Sequence, residues 1–273
     1  MLSLDVSIST YKPEGILRVE KMLAPLTQRE GVRYIVSWQE HENTPVPESL
    51  LQRKDTEIFR FEGRGLSNNR NNALDHCKGD IILIADDDLQ YYPDFAEKII
   101  DSFESNPLID LATFKVDYEN PKKYPVQDCT LNLPFPKNYF GSSVEISFRR
   151  EKFKTLRFWG KMGLGNPDLS CGEDELFLIS AIKRNFNCRF NNKTIAKHPQ
   201  STTGDCVAEG VLRGQGYIIC LIYPWSSFLR IPIKAFRVSK NKNSKFLNNL
   251  KHLLEGAIKS IKKKKEIPEN CRW

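Results

Sequence analysis

An α/β fold with a central, mostly parallel sheet is the fold class that the sequence predicts, and three observations carry it. Short apolar runs alternate with segments of helical periodicity along the N-terminal part of the chain, the pattern of successive strand–helix–strand units. The run Ile81-Ile82-Leu83-Ile84-Ala85 is apolar at consecutive positions rather than at every second one, as a strand covered on both faces must be. It leads directly into Asp86-Asp87-Asp88, and in open parallel sheets ligands sit beyond the carboxyl ends of the strands.

Taken in order, Val6 to Tyr11 reads as a first strand ending in a polar loop, and Pro13-Glu14 opens a helix carrying Ile16, Leu17, Val19, Met22 and Leu23. Tyr34 to Trp38 is a second strand and Thr56 to Phe61 a third, alternating one. Leu66 to Cys77 reads as a helix with an Asn-rich, Arg-bearing first turn, Ile81 to Ala85 as the fourth strand, and another helix starts near Pro93. Leu111 to Val116 and Val144 to Phe148 are strand-like, separated by a Pro-rich stretch from Pro121 to Pro136 of the kind that crosses a sheet surface. A helix is expected from Gly172 to Lys183, then a short strand at Cys188 to Phe190 and a loop with His198-Pro199. This gives one catalytic-type domain over residues 1–210 and a helical, basic region over 211–273. Within that region Phe246, Leu247, Leu250, Leu253, Leu254, Ala257, Ile258 and Ile261 recur at helical spacing, followed by Lys262 to Lys265.

A chain of 273 residues, 40% hydrophobic and 11% aromatic, is long and apolar enough for a full core and is not disordered. Its seven Cys, at 77, 129, 171, 188, 206, 220 and 271, are scattered without a Cys-x-x-Cys pair, which points to reduced thiols rather than disulfides or zinc. The N-terminus shows no secretory leader, and no stretch approaches the ~20 apolar residues that span a bilayer. The expectation is a cytoplasmic protein, at most peripheral at the inner face of the cell membrane. The net charge of +7 is uneven: from Leu229 onward thirteen Lys or Arg face three Glu, about +10, which leaves about −3 for the rest. An apolar stripe flanked by lysines suits an anionic membrane surface, and equally suits a helix packed on the domain with its lysines in water. Nucleic-acid binding is not expected, since the lysines lack interleaved aromatics.

Three adjacent carboxylates repel one another. A hard divalent cation such as Mg²⁺ or Mn²⁺ removes that repulsion and then holds phosphate oxygens, whereas the plainer alternative is a solvated acidic turn capping the next helix. The triplet has company: Gly65-Leu66-Ser67-Asn68-Asn69-Arg70-Asn71-Asn72-Ala73-Leu74 before it, and Cys171-Gly172-Glu173-Asp174-Glu175 and His198-Pro199-Gln200-Ser201-Thr202 after it. With the Thr10-Tyr11 loop and the Gly-rich run from Gly160 to Gly172, these motifs in this order resemble the family 2 glycosyltransferases of the GT-A (Rossmann-like) fold, over roughly residues 4 to 205.

The resemblance implies a metal-dependent, inverting transfer of a sugar from a nucleotide-diphosphate donor, expected to be a UDP-sugar, to a saccharide or lipid-linked saccharide acceptor in surface polysaccharide assembly. It implies Mn²⁺ or Mg²⁺ held by Asp86 and Asp88, with His198 completing the shell or serving as a structural or phosphate-contacting histidine. Asp174 is then the general base, Glu173 the next candidate, and Glu175 a supporting group or one that points away. Donor contacts fall to Thr10, Tyr11, Arg70, Asp86 and Asp87, with Arg70 aimed at the pyrophosphate or base. The family's acidic loop after the second strand is replaced here by Ser37-Trp38-Gln39-Glu40-His41, where Trp38 can stack on a base and Glu40 can take the ribose hydroxyls. Trp159 is an acceptor platform or a core residue. Two other readings stay open: a catalytically inactive sugar-nucleotide or carbohydrate-binding protein, and a nucleotidyltransferase, although that class opens with a Gly-rich basic loop that Ser9-Thr10-Tyr11-Lys12-Pro13 is not.

Overall fold

The structure, a computed structural model, describes residues 1–137, 139–198, 207–262 and 266–272. Strands β1 (Leu4–Tyr11), β2 (Val32–Gln39), β3 (Thr56–Phe61) and β4 (Ile81–Asp86) are parallel, in the spatial order β3-β2-β1-β4. Beyond β4 the sheet turns mixed. The remaining strands are β5 (Gln90–Tyr91), β6 (Leu111–Tyr118), β7 (Cys129–Thr130), β8 (Ile146–Arg149) and β9 (Cys188–His198). β8 runs antiparallel to β4 and β6, β9 runs parallel to β6, and the short β5 and β7 pair antiparallel with β9.

Two helical layers cover the sheet. The helices are α1 (Lys12–Leu23), α2 (Glu48–Leu51), α3 (Leu66–His76), α4 (Phe95–Glu104), α5 (Glu173–Lys183), α6 (Glu209–Ile222), α7 (Ser227–Lys242) and α8 (Phe246–Lys262). β4 shows why its sequence is continuously apolar: Ile81, Leu83 and Ala85 enter the core under α1 and α4, while Ile82 and Ile84 enter the opposite core with α3 and α5. Each face is dry, so alternation is lost.

Several boundaries move for identifiable reasons. Pro93 precedes the helix it was expected to open, and Asp94 takes the N-cap position of α4. The strand-like piece beginning at Val144 starts with a 3₁₀ turn over Ser143–Glu145 before β8. The strand expected to end at Phe190 runs on to His198, because a register shift between Thr113 and Lys115 lets the polar Asn191-Asn192-Lys193 bulge out before pairing with β6 resumes at Thr194.

The C-terminal region resolves into three helices and a returning end. α6 is the bridge: Tyr217, Ile218, Leu221 and Ile222 join the main core, while Leu212 and Cys220 pack with Ile231 and Ala235 of α7 and Leu253 and Ala257 of α8. The apolar stripe of α8 is therefore divided, with Leu253 buried and Leu247, Leu254, Ile258 and Ile261 exposed. Of the lysine run after it, Lys263 to Lys265 lie outside the described residues. Farther on, Ile267 and Cys271 sit in the main core, and Ser180 Oγ donates to the Cys271 carbonyl at 3.1 Å. Among the described residues no helix is long and apolar enough to cross a membrane.

The α6–α8 crossing depends on two glycines placed against backbone. A Cβ at Gly216 would overlap the Leu253 carbonyl, and one at Gly256 the Arg213 carbonyl. Gly256→Ala should therefore destabilise the fold by about 1–3 kcal/mol despite the better helix propensity of alanine, seen as a lower urea midpoint. An unchanged midpoint would show that the two helices separate at no cost.

Candidate functional site

A cleft of about 700 Å³ opens at the carboxyl ends of β1 and β4, lined by Tyr11, the Asp triplet, the start of α5 and the loop before Ser143. Register dictates this placement. Ser9 of β1 lies opposite Asp86 of β4, so the Tyr11 loop and the triplet leave the sheet side by side. α3 is fastened beside them by its asparagines. Asn69 donates through Nδ2 to the Thr10 carbonyl and accepts from Ser37 Oγ, Asn72 donates to Ser37 Oγ, and Asn71 exchanges two bonds with Phe158. Ser67 Oγ donates to the Met162 carbonyl at 2.6 Å, and Gly165 (φ +92°) lies against the Cα of Gly65, which ties the Gly-rich loop to the same helix.

The centre of the site is Arg70, which is 2% exposed. Its NH1 donates to Asp174 Oδ1 at 2.7 Å and Glu173 Oε1 at 3.3 Å, and its NH2 donates to Asp86 Oδ1 at 3.1 Å and Ser143 Oγ at 2.7 Å. Arg70 thus faces inward and is occupied by carboxylates, rather than extended toward a pyrophosphate. The other oxygen of Asp174 accepts the Ser143 amide at 2.8 Å. Burial and the neighbouring Asp174 push Glu173 up to about 8, and the same causes push Glu175 up to about 7. Burial therefore favours the neutral form of Glu173. Glu175 does not point away: it lines the cleft, with Lys122 and Lys234 acting on it electrostatically.

The three aspartates have separate surroundings. Asp86, the most exposed, faces Arg70. Asp87 is bound on both oxygens by Arg18, each at 2.9 Å, and also accepts from Thr10 Oγ1. Burial still raises Asp87 above the usual carboxylate range, against the pull of Arg18. Asp88 also is raised by burial, and its Oδ1 is buried without a hydrogen-bond partner, 3.6 Å from His198 Nε2. The sheet brings these two together: β5 follows Asp88 and pairs Gln90 with Lys197, so His198 at the end of β9 meets the triplet. The His198 ring also stacks on Tyr118.

Asp86, Asp87, Asp88, Arg70, Glu173, Asp174, Tyr11 and His198 converge on the cleft. Thr10 is buried beneath it, spent on Asp87. Glu40 is not part of the lining; it sits 3.8 Å from the Arg64 guanidinium at φ +50°. Trp38 does not stack on a base: it is fully buried, donates its Nε1–H to the Lys12 carbonyl, and lies under Arg60. Trp159 is a core residue beside Tyr217. Pro199 to Thr202 lie outside the described residues. Sequence reasoning missed Arg18 and the Ser143 turn. It also missed Glu145, fully buried and bound by Lys122, Tyr118 and Tyr124.

A divalent cation fits the Asp88–His198 corner by its donor chemistry, an orphaned carboxylate oxygen beside an imidazole nitrogen. Among the described residues no three His, Cys, Asp or Glu side chains form a preformed cluster, so the remaining ligands would be diphosphate oxygens and water, as hard cations commonly accept.

Removing the central guanidinium leaves buried carboxylates uncompensated. Arg70→Met should cost about 3–5 kcal/mol of folding stability in urea denaturation at neutral pH. A loss below about 1 kcal/mol, the level of a surface pair, would remove Arg70 from this role.

Residues 40–160, which include Arg70 and the triplet, match the family described as Glycosyl transferase family 2. No curated protein sequence matches the chain significantly. Among solved structures, that of S. aureus TarS 1-349 superposes with a TM-score of 0.63 at 15% identity, covering 94% of this chain and 81% of that one. Its complex with UDP-GlcNAc gives 0.61 at 15% identity, covering 99% and 83%, and its complex with UDP gives 0.56 at 17%, covering 90% and 74%. Over its matched segment the chain is similar to family 2 glycosyltransferases, and the shared architecture shows the GT-A type of α/β fold.

Proposed function

We propose that the protein is a metal-dependent, inverting glycosyltransferase that uses a UDP-sugar and a saccharide or lipid-linked saccharide acceptor in surface polysaccharide assembly. The UDP and UDP-GlcNAc complexes of the structural neighbours support this donor class. One observation carries the reading: the cleft holds a buried Asp88 oxygen without a hydrogen bond and, elsewhere in its lining, Asp174, and the Lys and Arg that line it among the described residues are already paired. Arg70 is bound to Asp86, Glu173 and Asp174, Arg18 to Asp87, and Lys122 to Glu145. A donor diphosphate entering this acid-lined space brings further negative charge. Its neutralisation calls for an imported cation, held by Asp88 and His198, which would supply Lewis-acid stabilisation of the leaving group.

The residues of the chain then divide the work. Tyr11, half-exposed at the end of β1, offers a ring for the nucleoside. Asp174 keeps lone-pair directions free beyond its bonds from Arg70 and Ser143, and one of these accepts the proton of the acceptor hydroxyl. The acceptor oxygen forms its bond to the anomeric carbon as the bond to the diphosphate oxygen breaks on the opposite face, so configuration inverts. Arg70 fixes the distance between the triplet and Asp174. The buried, protonated Glu173 supports the start of α5 rather than competing as base.

Two measurements test this. In calorimetric titration with UDP, GDP, dTDP and CDP, UDP should bind with Mn²⁺ present, and Asp88→Ala should abolish the metal-dependent part. Metal-dependent affinity that survives in the variant would count against the Asp88 site. Asp174→Asn should leave UDP binding intact and slow transfer by about 10²–10⁴-fold, while full transfer in that variant would remove Asp174 as base.

A further inference from the structure

The strongest unexplained surface lies on α7. Residues 229, 233, 236 and 240 follow one face of the helix at the step of ~100° per residue, and Trp225 stands in the turn just before it. Trp225 is 91% exposed, Phe236 62%, Leu229 57% and Ile233 51%. Ile231 and Ala235 on the other side are buried against α6 and α8, so this face is what the packing leaves outward. Phe228 flanks it on one border, and Arg230 and Arg237 flank it on the other, with Lys240 at its end. A patch of this size on a folded domain marks a contact site.

Its charge names the partner. Between Glu209 and Glu255 the sequence holds no Asp or Glu, while eight Lys or Arg fall there. Apolar rings including a tryptophan, bordered by arginines on a helix that carries no acid, match the headgroup layer of an anionic bilayer. The location matches as well. Lys234, farther round on the arginine side, acts electrostatically on Glu175 and Cys171 at the cleft. We infer that α7, rather than the stripe and lysine run of α8, is the surface by which the protein lies on an anionic membrane, with its cleft beside the headgroups. The binding rests on this face alone; only its use, presenting a lipid-linked acceptor, rests on the acceptor named above.

Sedimentation with vesicles of phosphatidylcholine, with and without one-third phosphatidylglycerol, tests it. The full chain should partition to the anionic vesicles only, and less at high salt. Leu229→Ser/Phe236→Ser and Arg230→Glu/Arg237→Glu should each weaken partition at least about tenfold. Leu247→Ser/Ile258→Ser on α8 should change it by less than about twofold. All of these positions avoid the nucleotide site, so UDP titration with Mn²⁺ should be unchanged in each variant, which also shows that each is folded. Absence of vesicle binding by the wild type would overturn the inference, as would loss confined to the α8 pair. A dimer in light scattering that the α7 changes dissolve without affecting partition would assign the face to a second copy instead. Failure of UDP binding with vesicle binding intact would sink the donor reading and leave this one standing.

Discussion

One guanidinium holds the site together. Arg70 has Asp86 on one side and Glu173 and Asp174 on the other, and those acids come from chain segments nearly ninety residues apart. β4 ends in Asp86 and α5 begins with Glu173, so this contact sets how the strand end faces the helix start. Burying an arginine against three carboxylates is costly unless the charges nearly balance. Balance comes partly from Glu173, whose pKa is lifted to about 8 by burial and by Asp174. With Glu173 neutral, one cation faces two anions, while the Ser143 hydroxyl accepts an Arg70 N–H and the Ser143 amide donates to Asp174.

The same logic runs through the triplet. Three adjacent aspartates avoid mutual repulsion by facing three different partners. Asp86 faces Arg70, Asp87 faces Arg18 and Thr10, and Asp88 faces His198. Only Asp88 retains a buried oxygen with no hydrogen bond among these. Asp87 therefore acts as a clamp between the first helix and the loop after β4, while Asp88 keeps a buried oxygen free of hydrogen bonds. A sequence of three identical residues gains three distinct surroundings because the sheet presents each to a different element.

What could be read from the sequence follows from how far each signal travels along the chain. The β4 strand, the triplet at its end, and the acidic start of α5 were legible because each is set by local periodicity and by the rule that parallel sheets bind at strand ends. The Asn-rich motif was visible, but its use was not. Its amides dock α3 onto Thr10, Ser37 and Phe158, partners from three distant segments. Arg70 was singled out yet assigned outward, since one cation cannot be seen to have three acids waiting for it. Arg18 carried no signal beyond being one more charged residue on an amphipathic helix. Trp38 was misplaced because an aromatic at a strand end suits a base and a core equally well; the Lys12 carbonyl that accepts its N–H decides for the core.

The C-terminal region shows a limit of periodicity as evidence. The stripe of α8 was the clearest amphipathic pattern in the chain, and only Leu250, Leu253 and Ala257 of its eight residues are covered in the packing with α6 and α7. The pattern of α7 is interrupted by Pro232 and mixed with arginines, yet it leaves Phe228, Leu229, Ile233 and Phe236 exposed together. A helix in a bundle of three buries whichever stripe meets its neighbours, and Gly216 and Gly256 settle that meeting by letting α6 and α8 approach through their backbones. α7 then packs with its small residue Ala235 and Ile231 inward, and its larger side chains have nowhere to go but out. Close approach at two glycines on other helices thus determines which apolar surface the protein shows, a choice that no single helix's hydrophobic pattern contains.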